Sequence, residues 1–396
     1  MVGEIQPAVV PWQVYPGDEA MSQSIRIAAA QTANRTIPFR IGGPSAALGK
    51  VKENLDALVA LAHRAADEGC NIVAFPEDCL GTLEWEAGHW KEVHDLLQPA
   101  EGLMLEGFRQ VARERGMAIV CCNDLLADGA TIPGAPVYNT ALLIGTDGSE
   151  IGRYLKVQPT LSERHRALGS SFPVFDVPGI GSTGLCICYD MVFPETTRAL
   201  ALNGADLVFH CTMGGASFGD GDASLAAFRT RAADNFLYLV VSFRGGGSMI
   251  IGPKGQVLAE AESNGDCIVA ADVDLTAGRE AGDSLGGSTQ DFRARLFRER
   301  NPAAYRILTD ENPPALERLK DVPVPSAAEA AALFAEGITT GTERFYEAER
   351  LQKAGEIGAA REIFADLGGR FGTLWMGKAS RERLEALGGG GAGDAV

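Results

Sequence analysis

The stretch Gly184-Leu-Cys-Ile-Cys-Tyr-Asp-Met-Val-Phe-Pro-Glu195 decides how the rest of the chain is read. Residues 184–188 form a short apolar run, the pattern of a buried strand. Pro194 suits the first turn of a helix, which is expected to continue through Asn203. Cys188 therefore ends a strand just before a turn and a helix. A side chain there is held rigidly and still meets a cleft, and nearby backbone N–H groups can face a developing oxyanion. A cysteine ending an apolar strand is, by itself, usually a small buried hydrophobe. Its chemistry depends on the company the fold brings to it.

Upstream, Ile25 to Gln31 is an apolar run and the expected first strand. Leu48, Val51, Leu55, Leu58, Ala62 and Ala65 recur at helical spacing, and Gly69 closes that helix. Asn71 to Phe75 is β-rich and ends abruptly in Pro76-Glu77-Asp78, which puts an acid at a strand's carboxyl end. Leu105, Phe108, Val111 and Ala112 mark a second helix stopped by Gly116, and Met117 to Cys122 reads as a buried strand. Tyr138 to Ile144 and Glu150 to Leu155 flank Thr146-Asp147-Gly148, a hairpin signal. Lys156 lies just past its second arm.

Downstream, Asp206 to Cys211 and Leu237 to Phe243 read as strands around a helix over Ser224 to Asn235. Ser248 to Ile251 and Val257 to Ala261 form a second hairpin across Pro253-Lys254-Gly255, and Asp266 to Val273 is the last clear strand. Crossovers mixed with hairpins fit two packed mixed sheets covered by helices, an α/β architecture.

Glu77 and Lys156 are the partners to weigh beside Cys188. Taken singly, a strand-end acid usually pairs with a surface arginine, and a lysine after a strand is usually a solvated cation. A carboxylate held among apolar groups has its pKa raised, which suits proton transfer near neutral pH. A buried cation near Cys188 favours the thiolate and stabilises oxyanion charge.

Their order along the chain resembles the nitrilase superfamily of carbon–nitrogen hydrolases, in its amidase or carbamoylase branch. The matching blocks are Phe75-Pro76-Glu77, then Tyr138-Asn139 with Asp147-Gly148 and Tyr154-Leu155-Lys156, then Cys188-Tyr189-Asp190-Met191-Val192-Phe193-Pro194-Glu195. Asn203-Gly204-Ala205-Asp206, Arg231-Ala232-Ala233-Asp234-Asn235 and Gly252-Pro253-Lys254-Gly255 extend the match over about Ile25 to Asp274. The resemblance implies a four-layer α-β-β-α sandwich whose subunits pair into a homodimer or higher oligomer. It implies Glu77 as general base, Cys188 as nucleophile, Lys156 as oxyanion stabiliser and Glu163 as a supporting glutamate. His165 is close by but outside the pattern.

Departures bear on substrate. Tyr189-Asp190 stands where true nitrilases carry Trp-Glu, which leans toward amide or N-carbamoyl substrates. Val157-Gln158-Pro159 and His210-Cys211-Thr212-Met213 also differ from the family pattern. Tyr189, Thr212 and Met213 are the candidate substrate-binding residues. Asp220 and Asp222, in and beside the Gly-rich loop 214–221, read as an ordinary surface loop or as part of the entrance.

The chain has 396 residues, 46% hydrophobic and 22% charged, with a formal net charge of -17. That charge argues against nucleic acid or an anionic membrane as partner and leaves a small-molecule amide as the expected one. No run is long and apolar enough to span a bilayer. The 8 cysteines form no disulfide framework, so reduced thiols in a cytoplasmic protein are expected. No metal or cofactor is expected; Cys186, Cys188, His210 and Cys211 lack common zinc spacings. Residues 1–24 read as an irregular arm with Met21 as an alternative start, 25–300 as the hydrolase domain, and 301–396 as a helical extension with a Gly-rich tail from Gly388. In the extension, Ala327 to Glu336, Thr342 to Lys353 and Ala359 to Leu367 are expected helices. Phe345, Ala348, Leu351, Ala354, Ala360, Ile363 and Phe364 would line a helical hairpin packed on the main domain or across a dimer. Two other readings stay open: an inert hydrolase fold that binds a partner through these helices, and a glutamine-hydrolysing module serving a separate synthetase.

Overall fold

The computed structural model describes residues 24–127, 134–213, 221–275, 292–372 and 374–388. The N-terminal arm, Asp220, the loop that precedes it and the tail beyond Gly388 lie outside those residues, as does the side chain of Asp222.

Twelve strands form two six-stranded sheets. The first has the order β12 (Cys267–Asp274), β1 (Ser24–Gln31), β2 (Ile72–Ala74), β3 (Ala118–Leu126), β4 (Val137–Ile144) and β5 (Glu150–Leu155). The second has β11 (Val257–Glu260), β10 (Met249–Ile251), β9 (Tyr238–Phe243), β8 (Leu207–Thr212), β7 (Gly181–Ile187) and β6 (Val174–Val177). β1, β2 and β3 run parallel, as do β7, β8 and β9, and antiparallel strands flank each trio.

Alternation along the strands makes the layers. Side chains in a strand point to opposite faces with period two, so a central strand apolar at every position is buried on both sides. Ile27, Ala29, Ala74, Val120 and Cys122 meet Ile187, Phe209, Cys211 and Val240 between the sheets. Their neighbours Ala28, Ala30, Val73, Ile119 and Cys121 face the helices α1 (Gly43–Asp67) and α3 (Val93–Arg115). Cys186, Val208, Leu239 and Val241 face α4 (Pro194–Leu202) and α5 (Gly221–Asn235) on the far side. The result is the expected α-β-β-α sandwich. The adjacent pair Cys121 and Cys122 is split between two cores, and all eight cysteines are unbonded.

Several elements differ from the sequence reading. α3 begins at Val93, well before Leu105, because Leu96, Leu97, Ala100 and Met104 extend its buried face despite Pro99. α2 (Leu83–His89) and the edge strand β6 were not anticipated; both are short and lack a full period. α6 (Phe292–Glu299) and α7 (Pro314–Arg318) likewise went unread.

The expected C-terminal helices are α8 (Ala327–Glu336), α9 (Thr342–Lys353) and α10 (Ile357–Arg370), with α11 (Trp375–Gly388) in addition. α8 and α9 run into one another through a π-helical stretch, Gly337–Gly341. Phe345, Ala348, Ala360 and Phe364 line the core of this unit as expected, joined by Leu367, Phe371 and Met376. Ala354 does not, because it caps α9 in solvent. The unit packs on the main domain: Phe39 and Ala87 join its core, and α8 contacts the turn at Leu161–Glu163.

Candidate active site

The carboxyl ends of the parallel strands gather at one end of the sandwich. β2 leads through Phe75-Pro76 to Glu77, β7 leads to Cys188, and β8 ends at Thr212. Lys156 directly follows β5. The sheets are tied together here: Ser242 Oγ donates to Ala74 O at 2.9 Å, and Gly245 N donates to Thr32 O at 2.7 Å.

Four predicted residues converge. Lys156 Nζ donates to Glu77 Oε1 at 2.9 Å and to Glu163 at 2.8 and 2.9 Å. Glu77 and Lys156 are buried, Glu163 nearly so, and the Cys188 side chain is half-buried beside them. Burial disfavours the Lys156 ammonium, but the carboxylates of Glu77 and Glu163 outweigh it and hold its pKa well above the usual value. Glu163 would be raised by burial, yet Lys156 and then Arg166 drive it down to about 2. Burial, then the Glu77 carboxylate, pushes the Cys188 thiol up against the pull of Lys156. The sulfur therefore rests as a thiol and needs a base to become a nucleophile.

Glu77 corrects one expectation. It is buried among donors, not apolar groups. Lys156, the Asn139 amide at 2.8 Å and the Met213 N–H at 3.3 Å all donate to its carboxylate. Asp78, the next residue, is clamped by Arg244 at 2.6 Å, which fixes where Glu77 points.

Cys188 adopts a left-handed backbone, φ 45°. A non-glycine residue there is strained, and such strain persists only where surrounding structure enforces it. Asp190 supplies that enforcement. It accepts from Ile187 N at 2.9 Å, Tyr154 Oη at 2.7 Å and Gln158 N at 2.8 Å. One carboxylate thus ties the turn at Cys188 to both sides of Lys156. Burial raises Asp190 to about 6.

Of the candidate substrate-binding residues, the Thr212 side chain hydrogen-bonds Cys188. Tyr189 lines a cavity of about 480 Å³, and Met213 lines another of about 750 Å³. His165 packs edge-on against Trp90 at 4.4 Å, apart from this group. Arg166, buried between Glu86 and Asp124, anchors the segment after Glu163. Cys186 and His210 face the outer helices while Cys211 faces the inter-sheet core, so the four metal candidates do not converge. Asn139 is the site residue that went without a role. It stands inside the quoted Tyr138-Asn139 block, and its amide also reaches Glu163 at 3.2 Å.

A half-buried thiol at a strained strand end, beside a buried carboxylate and ammonium in a four-layer sandwich, defines the nitrilase-superfamily class of hydrolase. The chain belongs to the carbon-nitrogen hydrolase family, whose model matches residues 26–282, and it is a carbon–nitrogen hydrolase. A nitrilase of Pyrococcus abyssi is 30% identical over 241 residues, covering 56% of this chain and 84% of that protein. Omega-amidase NIT2 of Homo sapiens is 27% identical, covering 60% of this chain and 89% of its own length. In solved structures the fold is shared with an amidase from Nesterenkonia sp. AN1, at 23% identity and a TM-score of 0.55, over 73% of this chain and 99% of that one.

Proposed function

We propose that the chain hydrolyses a small amide or N-carbamoyl compound through a cysteine thioester. Glu77 takes the Cys188 proton as the sulfur attacks the carbonyl carbon. Lys156 and the Tyr189 backbone N–H, in the first turn of the 3-10 helix over 188–192, hold the oxyanion. Glu77 then protonates the leaving nitrogen, and ammonia or an amine departs as the C–N bond breaks. Water, deprotonated by Glu77, attacks the thioester and releases the acid with the thiol restored.

The observation that carries this reading is the Lys156 ammonium in contact with Glu77 and Glu163, beside the half-buried Cys188. In one Nesterenkonia structure the acetamide moiety of fluoroacetamide is attached at the active-site cysteine, which supports a nucleophilic cysteine able to meet a small amide-bearing molecule in this chain too.

The test is ammonia release across simple amides, ω-amides, N-carbamoyl compounds and nitriles, for wild type, Cys188→Ala and Glu77→Gln. Both variants should lose at least about a thousandfold in kcat with circular dichroism unchanged. Turnover near wild type in either one rejects the scheme.

A further inference from the structure

Building on the amide reading above, we infer that the C-terminal helices complete the substrate site and select an amide with an uncharged, apolar acyl chain. The 480 Å³ cavity has two walls from different parts of the chain. One comes from the catalytic end of the sandwich: Thr160, which hydrogen-bonds Glu163 at 2.8 Å, and Tyr189, which follows the nucleophile. The other comes from the helical unit, chiefly Leu333, Phe334, Phe371 and Leu374. The 750 Å³ cavity begins at Met213, whose N–H contacts Glu77, and also ends on Phe334 and Leu374. These two side chains therefore line both cavities, which reach the catalytic residues through their neighbours Thr160, Tyr189 and Met213. Both cavities fall within the range of about 300–1,000 Å³ usual for ligand sites, and formamide or acetamide would leave them mostly empty.

The helical wall is built to stay in place. A Cβ on Gly337 would lie 2.4 Å from Leu374 Cδ1 and 3.0 Å from the Phe371 ring, so a larger residue there would force the Leu374 side chain to move. The wall begins well beyond residue 282, where the family match ends. The family match therefore does not itself specify what the wall selects.

Charge decides the kind of substituent. Among the described lining residues, Arg370 is the cation of the smaller cavity, and it meets Glu336 through both nitrogens at 2.8 Å. In the larger cavity Arg244 is paired with Asp78 at 2.6 Å and Arg40 with Glu343 at 3.8 Å. Each of these cations already faces an acid. A carboxylate-bearing acyl group would give up its water without an unmatched cation to receive it. An alkyl or aryl chain loses nothing polar and gains the burial of its apolar surface.

The experiment is calorimetric binding to full-length Cys188→Ala of butanamide, hexanamide, octanamide and the monoamide of succinic acid, paired with wild-type turnover of the same compounds. Each added methylene should tighten binding by about fourfold, and the succinic monoamide should bind more weakly than hexanamide. Phe334→Ala should flatten the chain-length dependence. Leu333→Lys, at a half-exposed position that tolerates change, should tighten the succinic monoamide by roughly tenfold by adding a cation without an acid partner. Equal affinity along the alkyl series, or a succinic monoamide that outbinds hexanamide in the wild-type cavity, overturns the assignment. Chain-length-dependent binding without turnover of any amide by wild type would instead reject the hydrolytic scheme and leave the cavity assignment standing.

Discussion

Asn139 Nδ2 lies 2.8 Å from Glu77 Oε1, and the same nitrogen reaches Glu163 Oε1 at 3.2 Å. One amide therefore bridges the two carboxylates that share Lys156. Asn139 is a positioning residue: it sets the Glu77 carboxylate on the side of Cys188 and keeps two like charges at a fixed separation. Its Oδ1 accepts from the buried Cys122 thiol at 3.5 Å, which sets the orientation of the amide.

Asn139→Ala should lower kcat by about ten- to a hundredfold with KM changed less than about threefold. Steady-state kinetics on the best amide substrate checks it. An unchanged circular dichroism spectrum and urea midpoint beside that kcat loss separate positioning from lost packing. A parallel rise in KM with kcat intact would show that Asn139 contacts substrate instead.

Lys156→Met should destabilise the fold by about 3–5 kcal/mol, since it leaves the Glu77 and Glu163 carboxylates buried without their shared cation. Lys156→Met combined with Glu163→Gln should recover part of that loss and remain inactive. Urea denaturation of the three chains measures both effects. A single variant within about 0.5 kcal/mol of wild type would mean the cation is not needed to hold the site together.

His210 gives the pH dependence a sign. Burial, with Lys156 adding to it, lowers this imidazole from its ordinary value to about 3. Between about pH 6.5 and 3 the unfolded chain binds a proton that the folded chain refuses. Stability contributed by neutral His210 is therefore full above pH 6.5 and is lost as pH falls toward 3. His210→Gln should lessen the fall in unfolding free energy between pH 7 and 5 by roughly 2 kcal/mol. Unchanged pH sensitivity in urea melts would show that other groups carry it.

The segment over 302–324 exposes Tyr305, Ile307, Leu308, Leu316, Leu319, Val322 and Val324, up to 64% at Val324. Seven exposed apolar side chains within one segment make it a candidate interaction site, and a second copy of the chain is the proposed cover. Sedimentation velocity should give a dimer or larger species, and Leu308→Glu with Leu319→Glu should shift it toward monomer. A wild-type chain that sediments as a monomer at micromolar concentration removes the proposal.

Much of this was readable before any fold was known. Largely apolar runs such as Ile25 to Gln31 and Leu207 to Cys211 fit central strands covered on both faces. The Glu77, Lys156 and Cys188 blocks are short, rigid and local, so their residue types survive as pattern. Elements held by distant contacts were not readable. α11 is rich in polar residues and takes its place through Met376 against Phe345 and Phe364. The start of α3 was hidden by Pro99, and the roles of Asn139 and Asp190 exist only through hydrogen bonds to partners far along the chain.

The amino-acid order by itself settled which side chains are chemically able to act and that the strands leading to Glu77 and Cys188 are apolar on both faces, because period and residue type are local properties. Only tertiary structure decided that Lys156 is shared by two carboxylates, that Cys188 is strained, and that Phe334 and Leu374 line cavities shared with Tyr189 and Met213. Those are distances between segments separated by tens to hundreds of residues, and such distances are fixed by packing, which no local pattern contains.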